Sequence, residues 1–291
     1  MVVRYLVFFN PGFGACVRDE LRAKFGVEAM ATPSPGHLLV ELEHEWPTAD
    51  ELLALVRLRS VVDVMVLVEM TDGVPFFRSE EEIAAEKARI AAIRAELRQA
   101  KREEVGRTHL RGQAKQAIKA AMKKHIRNDN EPSPAELVAY FGGLMDSGWA
   151  PRLGAALGVI GRLAIDDWSC GREAYPEMAR EDEEKVRALA AQVQASEQAQ
   201  AGELAAWAEL DLTFKISAHR AGTKTSHTAS SQQLSASWGS VMCDACPGWK
   251  ASMLEHLIEL EVFVFRDWMC MAVPLLPPRT RLVQSRVAEP L

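Results

Sequence analysis

Short apolar runs alternate with amphipathic stretches over the first 75 residues. Val2–Phe9 is rich in β-branched and aromatic residues, and residues 10–14, Asn-Pro-Gly-Phe-Gly, have the composition of a turn. Val17, Leu21 and Phe25 then recur every four residues, as they would on one face of a helix. The pattern predicts a strand, a turn and a helix.

The same alternation continues to about residue 75. Residues 37–42 predict a second strand, and residues 61–68 predict a third. Between them, Thr48 and Glu51 have the spacing of a capping box, which predicts a helix running to about Arg59. This strand and helix order favours a small ferredoxin-like α+β sheet, which we assign to residues 1–75.

Residues 76–208 have a helical pattern throughout. Residues 80–124 consist largely of good helix formers, and Ile83, Ile90, Ile93 and Leu97 mark a narrow apolar stripe along them. Three further helices are predicted, over residues 133–145, 153–167 and 181–209.

Mixed strand and helix character returns in residues 209–276. The predicted elements are a strand at 212–217, a helix at 230–242, and a strand pair at 261–265 and 269–273. Residues 277–291 are proline-rich and aperiodic, which is typical of a tail or linker.

Composition narrows the class of protein. The net charge of −6 argues against nucleic-acid binding through overall positive charge, although a local basic surface remains compatible with it. The sequence has no apolar run of about 20 residues, and its first residues are typical of a strand rather than a signal peptide, so we expect an intracellular protein, cytoplasmic or nuclear, without a membrane partner. The five scattered cysteines do not suggest a disulfide framework.

The most informative segment is the polar loop at residues 219–231, between a predicted strand and a predicted helix. Backbone N–H groups at the helix start, hydroxyls and two cations would converge there on an anion. Arg220 can bind a phosphate with two N–H groups, and Lys224 supplies a point charge. The alternative interpretation is a polar turn in which Ser230 only caps the helix.

Several motifs in the same region resemble the THUMP core of THUMP-class tRNA guanine-N2-methyltransferases. They are Phe214-Lys-Ile-Ser-Ala-His-Arg-Ala-Gly-Thr-Lys224, the Ser230-Ser231 pair, Trp238-Gly239, Trp249-Lys250, Leu260-Glu-Val-Phe-Val264 and Met271-Ala-Val-Pro-Leu275. Gly12-Phe13, Glu20-Leu21 and Leu58-Arg-Ser-Val61 are similar to the ferredoxin-like domain that precedes THUMP in these enzymes. The family's acidic residue after Gly-Phe is Gly14 here, and the loop before the serine pair is about two residues longer.

The resemblance implies an α+β protein with an N-terminal ferredoxin-like domain and a THUMP domain, the latter enlarged by a large helical insertion. It implies that tRNA, rather than DNA, is the partner, recognised by its shape and 3′ end. The residues expected to face RNA are Arg220, Lys224, Ser230, Ser231, Lys250 and Lys215.

The resemblance also implies a partner that performs catalysis. Enzymes of this class bind S-adenosylmethionine through a glycine-rich loop and carry an (Asn/Asp)-Pro-Pro-(Tyr/Phe) motif, whereas Pro277-Pro278 is flanked here by Leu276 and Arg279. We therefore expect no catalytic residue, cofactor or metal on this chain, and a methyltransferase domain or small activator protein as partner. A stand-alone tRNA-binding adaptor for a separate modifying enzyme is the alternative.

Three weaker signals remain. The Gly12/Gly14 loop, with Glu41 or Glu43 as a ribose ligand, would suit an enzyme that binds S-adenosylmethionine. Cys243 and Cys246 have the spacing of half a zinc site, but a pair of structural cysteines is the stronger interpretation. Residues 98–127 are strongly basic, and they predict either a solvated helix face or, in the interpretation that we favour, a secondary RNA contact through Arg111, Lys115, Lys119 and Lys123.

Overall fold

The computed structural model describes residues 2–33, 36–43, 48–105, 131–165, 180–221 and 226–275. These residues form a mixed α/β structure built on one eight-stranded sheet. The strands are β1 (Val2–Phe9), β2 (Met30–Ala31), β3 (His37–Glu43), β4 (Val61–Thr71), β5 (Thr213–Ala221), β6 (Lys250–Ala251), β7 (Ile258–Phe265) and β8 (Trp268–Pro274).

The described helices come mainly from the middle of the chain. They are α1 (Gly14–Phe25), α2 (Ala49–Val56), α3 (Glu80–Val105), α4 (Pro134–Leu144), α5 (Ala150–Ile165), α6 (Arg180–Gln194), α7 (Glu197–Gln200), α8 (Leu204–Ala208) and α9 (Ser231–Ala245). A π-helical turn, Met145–Trp149, joins α4 to α5 and contains Gly148 at a φ of 121°. Only glycine adopts such a φ without strain, which explains the kink at this position.

The strand order is β2-β3-β1-β4-β8-β7-β5-β6, so strands from both ends of the chain share one sheet. The antiparallel β4–β8 pair joins them, with Val66 opposite Val273. The antiparallel β7–β8 pair turns at Arg266 and Asp267, as the sequence predicts. Strand β5 pairs with β7 in parallel, because α9 carries the chain back across the sheet between them.

One face of the sheet carries the main core, and the helices cover it. Trp238 of α9 is fully buried, where it stacks on Phe141 of α4 at a ring distance of 4.5 Å. Trp249 is also buried, and its Nε1 donates to the Trp207 carbonyl oxygen. Both side chains are buried, so the prediction of Trp238 and Trp249 as core residues is confirmed.

The other face holds a smaller cluster made by the strands themselves. Its buried members are Leu6, Leu39, Leu67, Trp268 and Cys270. The Phe8 and Phe263 rings lie 5.1 Å apart although β4 and β8 separate their strands, so the sheet must coil strongly towards this face.

Most predicted elements within the described residues are confirmed, with shifts of a few residues at their ends; the helical stretch beyond residue 105 and the predicted tail at 277–291 lie outside those residues. The exception is the single helix predicted over residues 181–209, which is divided into α6, α7 and α8. Ser196 caps α7, and Gly202 takes a φ of +81° that a continuing helix does not allow. At this break the chain packs closely on α5: a Cβ on Gly154 would lie only 2.3 Å from the Gly202 carbonyl oxygen.

Candidate nucleic-acid interface

Helix α9 begins next to the carboxyl end of β5 and has no carboxylate in its first turn. Ser230 is the N-cap: its Oγ accepts from the Gln233 backbone N–H, and the Gln233 side chain accepts from the Ser230 N–H. In α3 and α4 the equivalent capping residue is a glutamate, Glu82 or Glu136. A carboxylate offsets the positive end of a helix dipole and a glutamine does not, so α9 keeps its attraction for an anion.

Arg220 ties the end of β5 to this helix start. Its Nη1 donates to the Ala229 carbonyl oxygen at 2.8 Å, and its Nε donates to Ser231 Oγ at 3.3 Å. The side chain is half-buried, and burial lowers its pKa. The guanidinium stays charged at neutral pH and has five N–H donors, of which these two bonds use two. The structure thus brings Arg220, Ser230 and Ser231 together, and the alternative role of Ser230 as a helix cap is also correct.

A segment distant in sequence completes this end of the molecule. The Arg78 N–H donates to the Ser226 carbonyl oxygen, and the Thr228 N–H donates to the Phe76 carbonyl oxygen. Arg78 is 7% exposed and close enough to His227 to affect its titration. We call Arg78, Arg220, His227 and the start of α9 the basic end. The pairing of residues 76–78 with 226–228 links positions about 150 apart, so sequence reasoning missed Arg78.

His227 is buried within reach of the charges of both arginines. Its Nε2 lies 2.8 Å from the Arg266 carbonyl oxygen, which can only accept, so Nε2 carries the proton. Within the described residues, Nδ1 is buried and has no hydrogen-bond partner. Burial first, and the positive charges of Arg220 and Arg78 after it, lower the pKa of His227, while the Arg266 carbonyl oxygen acts in the opposite direction. The imidazole is therefore neutral at pH 7.

Lys215 and Lys250 lie away from the basic end. Lys215 projects from the opposite face of β5, and its Nζ donates to Glu259 Oε1 at 2.8 Å. Lys250 pairs with Asp211 in solvent at 2.7 Å. Lys250 pairs with Thr213 in the β5–β6 ladder. Thr213 precedes Arg220 by seven residues, so the backbones of Lys250 and Arg220 lie roughly 23 Å apart along the strand direction. The structure does not gather these residues into one site.

The remaining predicted RNA contacts fall outside the described residues. Lys224 belongs to the loop at 222–225, and the secondary contacts belong to the segment at 106–130; they are Arg111, Lys115, Lys119 and Lys123. Their roles stay predictions.

The glycine loop after β1 does not lie in a dinucleotide-binding unit. Both neighbours of β1, β3 and β4, are antiparallel to it, whereas that unit needs a parallel neighbour reached through a helix. Glu41 also lies on a strand paired antiparallel with β1, opposite Arg4. The interpretation of the Gly12/Gly14 loop as a cofactor site, with Glu41 or Glu43 as ribose ligand, is therefore wrong, because it requires a parallel strand next to β1.

The two cysteines of the Cys-x-x-Cys motif lie at the end of α9. Cys243 is exposed, while Cys246 is buried, and burial raises its pKa to about 12. A protonated, buried thiol is a poor metal ligand, which fits structural cysteines. In the described ranges no group of three or more histidine, cysteine or acidic side chains could hold a metal ion. None of the helices in those ranges is long and apolar enough to cross a bilayer.

Comparison with known proteins gives weak likenesses only. No known protein family matches the sequence, and no curated protein matches it. Among solved structures, TrmN from Thermus thermophilus is 12% identical with a TM-score of 0.38, covering 94% of this chain and 46% of that chain. A 4-thiouridine synthetase, solved with RNA and ATP, is 8% identical with a TM-score of 0.38, covering 94% and 41%.

A third structure, SMU.472, is a putative methyltransferase complexed with SAH. It is 10% identical with a TM-score of 0.36, and the match covers 94% of this chain and 41% of that chain. The chain spans less than half the length of each of these three structures.

Proposed function

We propose that this chain is a tRNA-binding module of the THUMP type, with a ferredoxin-like N-terminal part and an enlarged helical part. In this proposal the module presents tRNA to a guanine-N2-methyltransferase domain that uses S-adenosylmethionine and is not contained in residues 1–291. The observation that carries the proposal is the start of α9, where a helix N-terminus without a carboxylate meets the half-buried guanidinium of Arg220.

The chemistry of the basic end suits a phosphodiester better than a neutral ligand. Backbone N–H groups at a helix start and guanidinium N–H groups both donate to phosphate oxygens, and neither reads a base. Arg78 adds a second permanent charge beside His227. Because the overall charge is −6, binding must depend on local basic surfaces such as this one rather than on net charge.

A tRNA is long enough to reach both ends of β5. Arg220 and Lys224 form the centre of the proposed contact, with Ser230 and Ser231 at the helix start. Lys250, and Lys215 if its bond to Glu259 opens, would contact a more distant part of the same RNA.

The experiment is a filter-binding titration of total tRNA at several salt concentrations. The variant replaces Arg220 and Lys224 with alanine, and the matched control replaces Arg22 and Lys24 on α1, which removes the same charge elsewhere. We expect the slope of log affinity against log salt to fall in magnitude by about two for the variant and to be unchanged for the control. Wild-type protein that does not bind tRNA at low salt would refute the proposal.

A further inference from the structure

A cavity of about 550 Å³ lies beside the basic end, between the starts of α3 and α4. Phe77, Arg78 and Thr228 form the wall nearest the basic end, and Tyr140 of α4 lies on the helical side. The volume lies within the range of pockets that hold small organic ligands and exceeds that of one nucleobase. Of the functional residues predicted from the sequence, none that the structure describes lines it.

Aromatic rings and carboxylates define the chemistry of this cavity. Tyr140 packs edge-on against Phe76 at 6.2 Å, and both Tyr140 and Phe77 are only partly buried. Three glutamates, Glu82, Glu131 and Glu136, also line the cavity. Opposed to Arg78, they give the lining an excess of negative charge.

That excess excludes phosphate as the occupant. Glu82 and Glu136 already accept backbone N–H bonds at the starts of their helices, and the bonds from Ser133 lower the pKa of Glu136. The Glu136 side chain is thus held as a carboxylate at neutral pH, and the acidic lining would repel a phosphate. A flat ring with N–H donors suits such a lining, since it can stack on an aromatic side chain and donate to a carboxylate.

We propose that this cavity accepts one unpaired, amino-bearing nucleobase of the RNA held at the basic end, an inference that rests on the proposed function. Tyr140 provides the stacking surface, and Glu131 accepts from the exocyclic amine. Adenine, cytosine and guanine carry that amine, whereas uracil presents a carbonyl oxygen in its place. The phosphate then lies at Arg220 and the start of α9, while the base turns away from it into the cavity.

The test is fluorescence anisotropy with labelled RNA and the full chain. The probes are a nine-nucleotide oligouridylate, the same oligonucleotide with one central adenosine, and a short RNA duplex. We expect the adenosine to tighten binding roughly tenfold, and Tyr140→Ala to abolish that gain while leaving duplex binding within about twofold. Tyr140→Phe, the matched control, keeps the ring and should keep the gain.

A second variant tests the carboxylate without altering the packing. Glu131 is exposed, so Glu131→Gln should fold normally and reduce the preference for adenosine over uridine. Equal binding of the two oligonucleotides by the wild-type protein, or a preference that survives both Tyr140→Ala and Glu131→Gln, would overturn the inference. If salt-sensitive tRNA binding persists in that case, the cavity assignment alone fails; if all RNA binding is absent, the proposed function fails with it.

Discussion

The two ends of β5 hold their cations in different ways. At the carboxyl end, Arg220 donates to a carbonyl oxygen and a hydroxyl, neither of which carries a charge. At the amino end, Lys215 donates to the buried carboxylate of Glu259, and nearby Lys250 pairs with Asp211. A cation bonded to neutral groups keeps its field for a ligand, whereas a cation paired with a carboxylate has largely lost it.

The comparison shows why residue type alone does not identify a binding site. All three cationic residues lie in or beside strands of one sheet, and the resemblance to THUMP proteins implies an RNA contact for each of them. Their partners separate them, since Lys215 is part of a half-buried ion pair and Lys250 is 71% exposed. Each end can be perturbed independently.

The largest expected effect is at the buried pair. Lys215→Met should lower the free energy of unfolding by about 3 kcal/mol, because the buried carboxylate of Glu259 would lose the positive charge that Lys215 places 2.8 Å from it. Urea denaturation measures this, with Lys250→Met as the control that should cost far less. A loss below about 1 kcal/mol would show that the pair is more hydrated than its 6% exposed carboxylate indicates.

At the basic end, Arg220→Ala should cost about 2 kcal/mol of stability, since it removes two bonds made by a charged donor. Arg220→Ala should weaken tRNA binding more than Lys215→Met does, although Lys215→Met should destabilise the fold more. Arg220→Lys is the matched control, because it keeps the charge and loses the two-pronged geometry. If Lys215→Met weakens tRNA binding as much as Arg220→Ala does, the distinction between the two ends is wrong.

The sequence predicts the local elements well and their long-range partners poorly. The Thr48 and Glu51 capping box forms as expected, because both residues act within one helical turn. The cluster of Arg220 with Ser230 and Ser231 was also predictable, since a strand, a short loop and a helix start bring them together.

Other features depend on residues far apart in the chain. The Glu259 partner of Lys215 is 44 positions away, and nothing in the local pattern identifies it. The same holds for the contact of Arg78 with Ser226, and for the approach of Gly202 to Gly154 that divides the predicted helix. Periodicity records which face of an element is apolar, whereas these pairings arise only when the elements pack.

The basic end should also respond to pH through His227. Because the pKa of His227 is lowered in the folded state, the unfolded chain binds more protons below the ordinary value of about 6.5. Stability is therefore complete above that pH and falls as the pH drops below it, by at most about 1.4 kcal/mol per pH unit for this one group. Urea midpoints between pH 7.5 and 5 measure the slope, and His227→Gln should reduce it and leave the share of His37, whose pKa burial lowers to about 4. A variant with the wild-type slope would place the pH dependence on other groups.

The smallest effect on stability is expected at Lys250, the exposed cation near the amino end of β5. Because Lys250 and Asp211 are both exposed, Lys250→Ala should change the free energy of unfolding by less than about 1 kcal/mol. If tRNA reaches this end, the salt slope of binding should still fall in magnitude by about one, since one phosphate contact is lost. Asp211→Ala is the opposite control, because it releases Lys250 from its carboxylate and should raise affinity slightly. If neither variant changes the slope, the RNA contact is confined to the end of β5 where Arg220 meets α9.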